Sequence, residues 1–332
     1  MQGPRQFRVT AGINDEPVLA AGSRLAALLE ADAHFAARGY RHPLAIYNVS
    51  LSRISERGQR FAVLLHQFFS EARSLGGGPN EIRARIDEQL ELLVYALDAH
   101  IDDCELILKL CFKSDREYAK SPAVRAFKKA IKSIRRPTSV LCNALKHNHQ
   151  RVRFFESEFH TIRGSLVLLG FFLERASKDG IHPDPNFLGP NKKVISCVGF
   201  LWSSIIGIIE ISLVLASALS ISTSRADTER ADYRWNEEAF KQLILSTALL
   251  PFYMFDDDSP FQTINLALTH DSASSPRRDA VGSFLDPITA QSELVGIGSW
   301  RLNYVGDGVT KTFSIAIPAK ASFHSVQKKG PS

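Results

Sequence analysis

The chain is predicted to be mainly α, an antiparallel helical bundle followed by a small β-rich C-terminal part. Three observations carry this prediction. Between residues 23 and 250, apolar side chains recur at threes and fours, the step of a helix with one buried face. Clusters of Gly, Pro and Asn punctuate those stretches, as at Gly76-Gly77-Gly78-Pro79-Asn80. Beyond residue 250 the pattern turns to alternation and β-forming residues. At 332 residues, 45% hydrophobic and 23% charged, the chain has an ordinary globular composition and room for two domains.

The first twenty residues have no periodic pattern, and the polar stretch Met1 to Thr10 is not expected to be a secretory signal. Ser23 to Ala37 is Ala/Leu-rich with helical spacing and stops near Gly39. Leu44 to Leu75 follows as a second helix, with Gly58 a candidate interruption. Glu81 to Phe112 has the strongest pattern. Ile82, Ile86, Leu90, Leu93, Leu97, Ile101 and Leu108 form one apolar face, with Asn80 available as its cap. Ser121-Pro122 opens a basic helix to about Arg135, and Pro137 suits the first turn of another, from Thr138 to about Phe172. Gly180 to Asn191 reads as a loop, and Glu237 to Leu250 as a last helix before Pro251. Leu302 to Val305 and Val309 to Ile317 flank Gly306-Asp307-Gly308 as a hairpin would. The predicted division is an N-terminal extension over 1–20, a bundle over 21–252, a β-rich region over 253–319 and a flexible tail over 320–332.

Val194 to Thr223 runs thirty residues with one charge, Glu210. Its length fits a membrane span. Seven serines and a central carboxylate, which would cost about 2.5–3.5 kcal/mol on insertion, favour a core helix packed on all sides. Cys104, Cys111, Cys142 and Cys197 have no metal-binding spacing, so reduced thiols are expected and the chain is read as cytoplasmic.

Charge is strongly segregated. Lys113 to Arg163 holds thirteen basic residues against four acids, a net +9, while the whole chain is only +5. Clustered cations raise the local potential and gain energy by releasing counterions from a polyanion, so RNA or another polyanion is the expected partner. Within this segment Asn143, His147 and Arg151 lie four apart and share a face if the helix continues. A histidine there can move a proton near neutral pH, and Asn and Arg can hold phosphate. Arg135, Arg136, Lys132, Lys146 and Arg153 are the accompanying cations for RNA.

Three other clusters have ordinary explanations. His149, Glu156 and His160 have helical ligand spacing, but Arg153 lies among them and an exposed surface is the simpler reading. Asp98, Asp102 and Glu105 can bind a divalent cation, orient His147 or neutralise the basic helix beside them, and charge balance favours the last. Asp256-Asp257-Asp258 reads as an exposed turn. The chain has no phosphate-binding Gly loop, nucleophile elbow, HExxH or dinucleotide fingerprint, and no metal or small-molecule cofactor is expected.

The Asn143-xxx-His147 pair resembles the RNxxxH signature of HEPN domains, with Cys142 where the motif has Arg. The resemblance covers about residues 81–223. It implies a helical ribonuclease or RNA-binding module of toxin or phage-defence type that acts as a homodimer, with His147 as the catalytic residue. The absent Arg points to a binding-only form. The competing expectations are a non-catalytic protein-interaction module with a basic docking surface and a protein anchored in a membrane through 194–223.

Overall fold

The computed structural model describes residues 7–11, 19–26, 28, 35–75, 80–148, 150–161, 164–177, 180–188, 192, 194–222, 235–255, 266–270 and 321–324. The predicted hairpin around Gly306-Asp307-Gly308 and the Asp256-Asp257-Asp258 turn lie outside these residues.

The mainly α class holds. Helices α1 (Ala20–Ala26), α2 (Pro43–Leu75) and α3 (Asn80–Leu110) are followed by α4 (Asp115–Lys120), α5 (Pro122–Ala130) and α6 (Lys132–His147). Strands β2 (Val152–Thr161), β3 (Gly164–Ser177) and β4 (Gly180–Pro183) come next, after a first strand β1 (Phe7–Ala11) at the N-terminus. The short helix α7 (Pro185–Leu188) and strand β5 (Ile195–Ser196) lead into α8 (Cys197–Ser222), α9 (Trp235–Ala248) and strands β6 (Phe252–Phe255), β7 (Leu266–His270) and β8 (Ala321–His324).

α2 and α3 are the long antiparallel pair at the centre. Their apolar faces meet through residues such as Leu51, Ile54, Phe61, Leu90, Leu97 and Ile101, all buried. Gly58 does not interrupt α2. A β-carbon there would sit 2.7 Å from Leu243, so glycine lets α9 close onto α2. α1 covers the first part of the expected Ser23–Ala37 helix, most of whose remainder lies outside the described residues.

α8 is the apolar helix. It is long and apolar enough to cross a membrane, yet 67% of its apolar window is buried within the fold. α1, α5, α3 and β6 pack against it. Ser203, Glu210, Leu213, Val214, Ser217 and Ser220 recur at helical spacing and form its partly or fully exposed stripe. That stripe accounts for Glu210 and for Ser203, Ser217 and Ser220, whereas Ser196 and Ser212 are buried.

Four expectations are corrected. The helix read from Thr138 to about Phe172 ends at His147, and an antiparallel hairpin follows, pairing Val152 with Leu173 through Thr161 with Gly164. The aromatic and β-branched residues Val152, Phe154, Phe155, Phe159 and Thr161 favour a pleated, half-buried surface over another helical turn. Pro137 lies inside α6 rather than opening a helix. Its missing N–H frees the carbonyl of Ser133, an exposed residue that water can reach. The Gly180–Asn191 loop contains β4, which pairs with β3, and α7. Part of the expected flexible tail is strand β8, which pairs with β6, Phe252 opposite His324. β1, in the extension without periodicity, pairs with β7.

Candidate functional site

α5 and α6 share one apolar face that runs unbroken across Ile131. Ala123, Val124, Phe127, Ile131, Leu141, Cys142 and Ala144 are buried along it, at the spacing of a single amphipathic helix. Ile131 has φ −80° and ψ −2°, and Arg135 N–H donates to its carbonyl at 2.8 Å, so the helical path continues through the junction. The cations of this element fall in two rows.

The first row faces α3. Arg135 Nη2 lies 2.8 Å from Asp102 Oδ1, and Arg135 Nη1 pairs with Glu105. Lys128 Nζ lies 3.4 Å from Glu105 Oε2. Ser139 Oγ donates to Asp98 Oδ1 at 2.8 Å, and Lys146 Nζ stands 4.8 Å from the Tyr95 ring centroid. Lys128 of α5 and Arg135, Ser139 and Lys146 of α6 thus meet residues 105, 102, 98 and 95 of α3 in descending order, an antiparallel polar zipper. The acids of α3 neutralise the basic helix, as charge balance favours. Asp98 sits beside Ser139 and Cys142, not beside His147. Cys142 is buried, and burial followed by Asp98 pushes its thiol up to about 11, so it stays protonated.

The second row faces outward. Arg125, Lys129, Lys132, Arg136, Asn143 and His147 are all exposed and recur at threes, fours and a seven. Among the described residues, none of the four cations in this row has a carboxylate within ion-pair distance. Arg125 Nη1 donates to the carbonyl of Lys120 at 3.0 Å, which fixes the top of the row against the end of α4. No Asp or Glu occurs from Ser121 to Phe155, so the surface carries no acid of its own.

The expected site residues divide accordingly. Asn143 and His147 do share a face, but Arg151 does not join them. It lies past the end of α6, where its N–H donates to Glu174 Oε1 at 3.1 Å. Lys132 and Arg136 lie on the outward row, Arg135 and Lys146 on the zipper. Arg153 is only 7% exposed, and its Nε lies 2.6 Å from Glu174 Oε2. Lys146 and His147 occupy the last turn of α6, where positive charge also complements the helix dipole.

The Glu156/His160 pair is corrected as well. Both belong to β2, where four residues span about 13 Å, too far for one ion. Glu156 pairs with Arg83, and His149 lies outside the described residues. Among the described residues no cluster of three His, Cys, Asp or Glu has metal-binding geometry. Sequence reasoning missed Arg125 and Lys129 as members of the outward row. Their spacing to Lys132 and Arg136 was the available signal.

Among the described residues His100 is a fully buried imidazole. Its Nδ1 lies 2.8 Å from Ser50 Oγ and its Nε2 lies 3.6 Å from Cys104 Sγ. Ser50 O–H donates to the Tyr47 carbonyl, so Nδ1–H donates to Ser50 and the thiol donates to Nε2. Burial pulls His100 down to about 4 and pushes the Cys104 thiol up, which keeps both groups neutral. Tyr47 O–H donates to Ser212 Oγ at 3.1 Å, and Ala21 N–H donates to the same oxygen at 3.0 Å. This network ties α1, α2, α3 and α8 together inside the core.

Fold and surface define a mainly α protein with a central antiparallel sheet and a zippered helix pair bearing an outward basic row. No family model, curated protein or solved structure matches the chain.

Proposed function

We propose that this chain engages RNA without cleaving it, through the outward basic row of α5 and α6. The observation that carries the reading is the separation of the cations. Those facing α3 are neutralised by Asp102 and Glu105, whereas Arg125, Lys129, Lys132 and Arg136 face outward in a line with no ion-paired acid among the described residues. A linear array of this kind matches the regular negative charge of a phosphate backbone and gains free energy as counterions leave it.

The resemblance of Asn143 and His147 to the HEPN signature agrees with an RNA partner. Binding is favoured over cleavage by what surrounds the pair. Cys142 at the motif's Arg position is buried and protonated, and Arg151 is held by the hairpin rather than by α6. His147 is exposed, and among the described residues no side chain hydrogen-bonds its ring to orient it. General acid–base catalysis of phosphoryl transfer needs an oriented imidazole and a cation for the developing charge.

Incubating the purified chain with total RNA, with and without EDTA and beside His147→Ala, tests this. The expected result is a mobility shift that weakens steeply with salt, with intact RNA in every lane. Cleavage lost only in His147→Ala would replace binding with ribonuclease activity, and no shift even at low salt would retire RNA as the partner.

A further inference from the structure

Where α3 gives way to α4, a shallow cleft of about 490 Å³ opens beside the head of the basic row. Phe112, Arg116, Glu117, Lys120 and Ser121 line it. The chain builds it in a few steps. Ser114 caps α4, accepting from the N–H of Glu117 at 3.2 Å, and Glu117 Oε2 turns back to accept from the N–H of Lys113 at 3.1 Å. The one acid in the lining is therefore engaged with backbone. Arg116 and Lys120 are one turn apart on α4, both exposed, and stand on one side of the cleft. Phe112 is half-buried, held edge-to-face by Tyr118 with ring centroids 5.7 Å apart. Ser121 closes the cleft and opens α5, and the hydrogen bond from Arg125 to the Lys120 carbonyl joins it to the outward row.

We propose that this cleft takes an unpaired base of a single-stranded RNA whose backbone runs along the row. The inference rests on the RNA reading above and names the form of RNA selected. Its chemistry is a stacking ring beside a cationic track, the combination that holds single strands, because an aromatic face is satisfied only by a base that has left its duplex partner. Arg116 and Lys120 meet the phosphate flanking that base, continuing the charge of Arg125, Lys129, Lys132 and Arg136. The cleft is shallow and lined by five residues, which gives room for the face of one base.

The test compares an oligoadenylate carrying one fluorescent aminopurine with the same strand in a duplex. The wild-type chain is expected to bind the single strand about tenfold more tightly and to quench the aminopurine as it stacks. Phe112→Leu keeps an apolar side chain against Tyr118 but removes the ring. It should lose the quenching and about tenfold of single-strand affinity while leaving duplex affinity unchanged. Arg116→Gln with Lys120→Gln gives a second arm that leaves the ring packing intact and should weaken single-strand binding. Equal, salt-sensitive binding of both forms without quenching would overturn the cleft proposal and leave the row in place. Binding of neither form would remove the RNA reading itself.

Discussion

Arg135 faces two acids at once, with its Nη2 2.8 Å from Asp102 Oδ1 and its Nη1 paired with Glu105 on the adjoining turn of α3. This pairing sorts the cations of the basic segment by the side of the helix they occupy. Part of the positive count along the chain is therefore matched by acids of α3 within the fold.

The zipper has a measurable worth. Arg135 and Asp102 are partly exposed, so water and salt screen the pair. A double-mutant cycle of Arg135→Ala and Asp102→Ala, read by denaturant unfolding, should give a coupling of about 1 kcal/mol that shrinks as salt is raised. A coupling of zero at low salt would mean that the helices are held by their apolar faces alone.

His100 makes stability depend on acidity. Its folded-state pKa, pulled down to about 4, lies below the ordinary 6.5 of the unfolded chain. Above 6.5 the ring is neutral in both states. As pH falls below that value, the unfolded chain takes up a proton that the core refuses, so stability is lost progressively until about pH 4. The loss over this window is about 3 kcal/mol. His100→Gln cannot titrate, so the difference between wild type and variant isolates the imidazole from other groups. That difference should change by the stated amount between neutral and acid pH, and a constant difference would count against a neutral, buried ring.

Ser212 joins two elements through one oxygen. Ser212→Ala leaves the Tyr47 hydroxyl and the Ala21 N–H without that acceptor inside the core, a destabilisation of about 2 kcal/mol. Adding Tyr47→Phe to Ser212→Ala should cost less than Tyr47→Phe does alone, because the hydroxyl it removes has already lost its acceptor. Strict additivity in thermal or chemical unfolding would argue that the two side chains do not communicate.

Gly170 on β3 sits where the hairpin meets β5. A β-carbon at this position would collide with the Phe155 ring and lie 3.1 Å from the carbonyl oxygen of Ile195. Phe155 is buried, so it has little room to move. Gly170→Ala is expected to lower stability by about 1–3 kcal/mol, measured by urea unfolding. A neutral result would place the hairpin farther from β5 than the pairing of Gly170 with Ser196 requires.

Much of the helical framework was legible in the sequence because a buried face imposes its period on the chain. α2, α3, α8 and α9 begin and end within a few residues of their expected bounds. The central hairpin was not legible for a specific reason. Phe154, Phe155, Glu158 and Arg151 continue the helical spacing of Asn143 and His147, so the helix period fits the first part of a strand by coincidence. The contrary signs were the density of aromatic and β-branched residues after Arg151 and the glycines at 164 and 170. At the candidate site, sequence spacing brought Asn143 and His147 together correctly. It could not tell Arg135 from Arg136, because which of two adjacent cations turns toward an acid is set by where α3 packs. The buried histidine was hidden for the same reason. His147 drew attention through its polar neighbours, whereas His100 lies in the middle of an apolar helix and is recognised only when Ser50 and Cys104 come to meet it.

The salt dependence of RNA affinity tests the central account most directly. Replacing Arg125, Lys129, Lys132 and Arg136 together by Gln changes exposed residues that make no ion pairs with described groups, so the fold should be retained by circular dichroism. The slope of log affinity against log salt for a single-stranded RNA should then fall by about 3, at roughly 0.7 for each phosphate that is no longer neutralised. A folded variant with the slope and affinity of the wild type would contradict the assignment of the outward row as the RNA-binding surface.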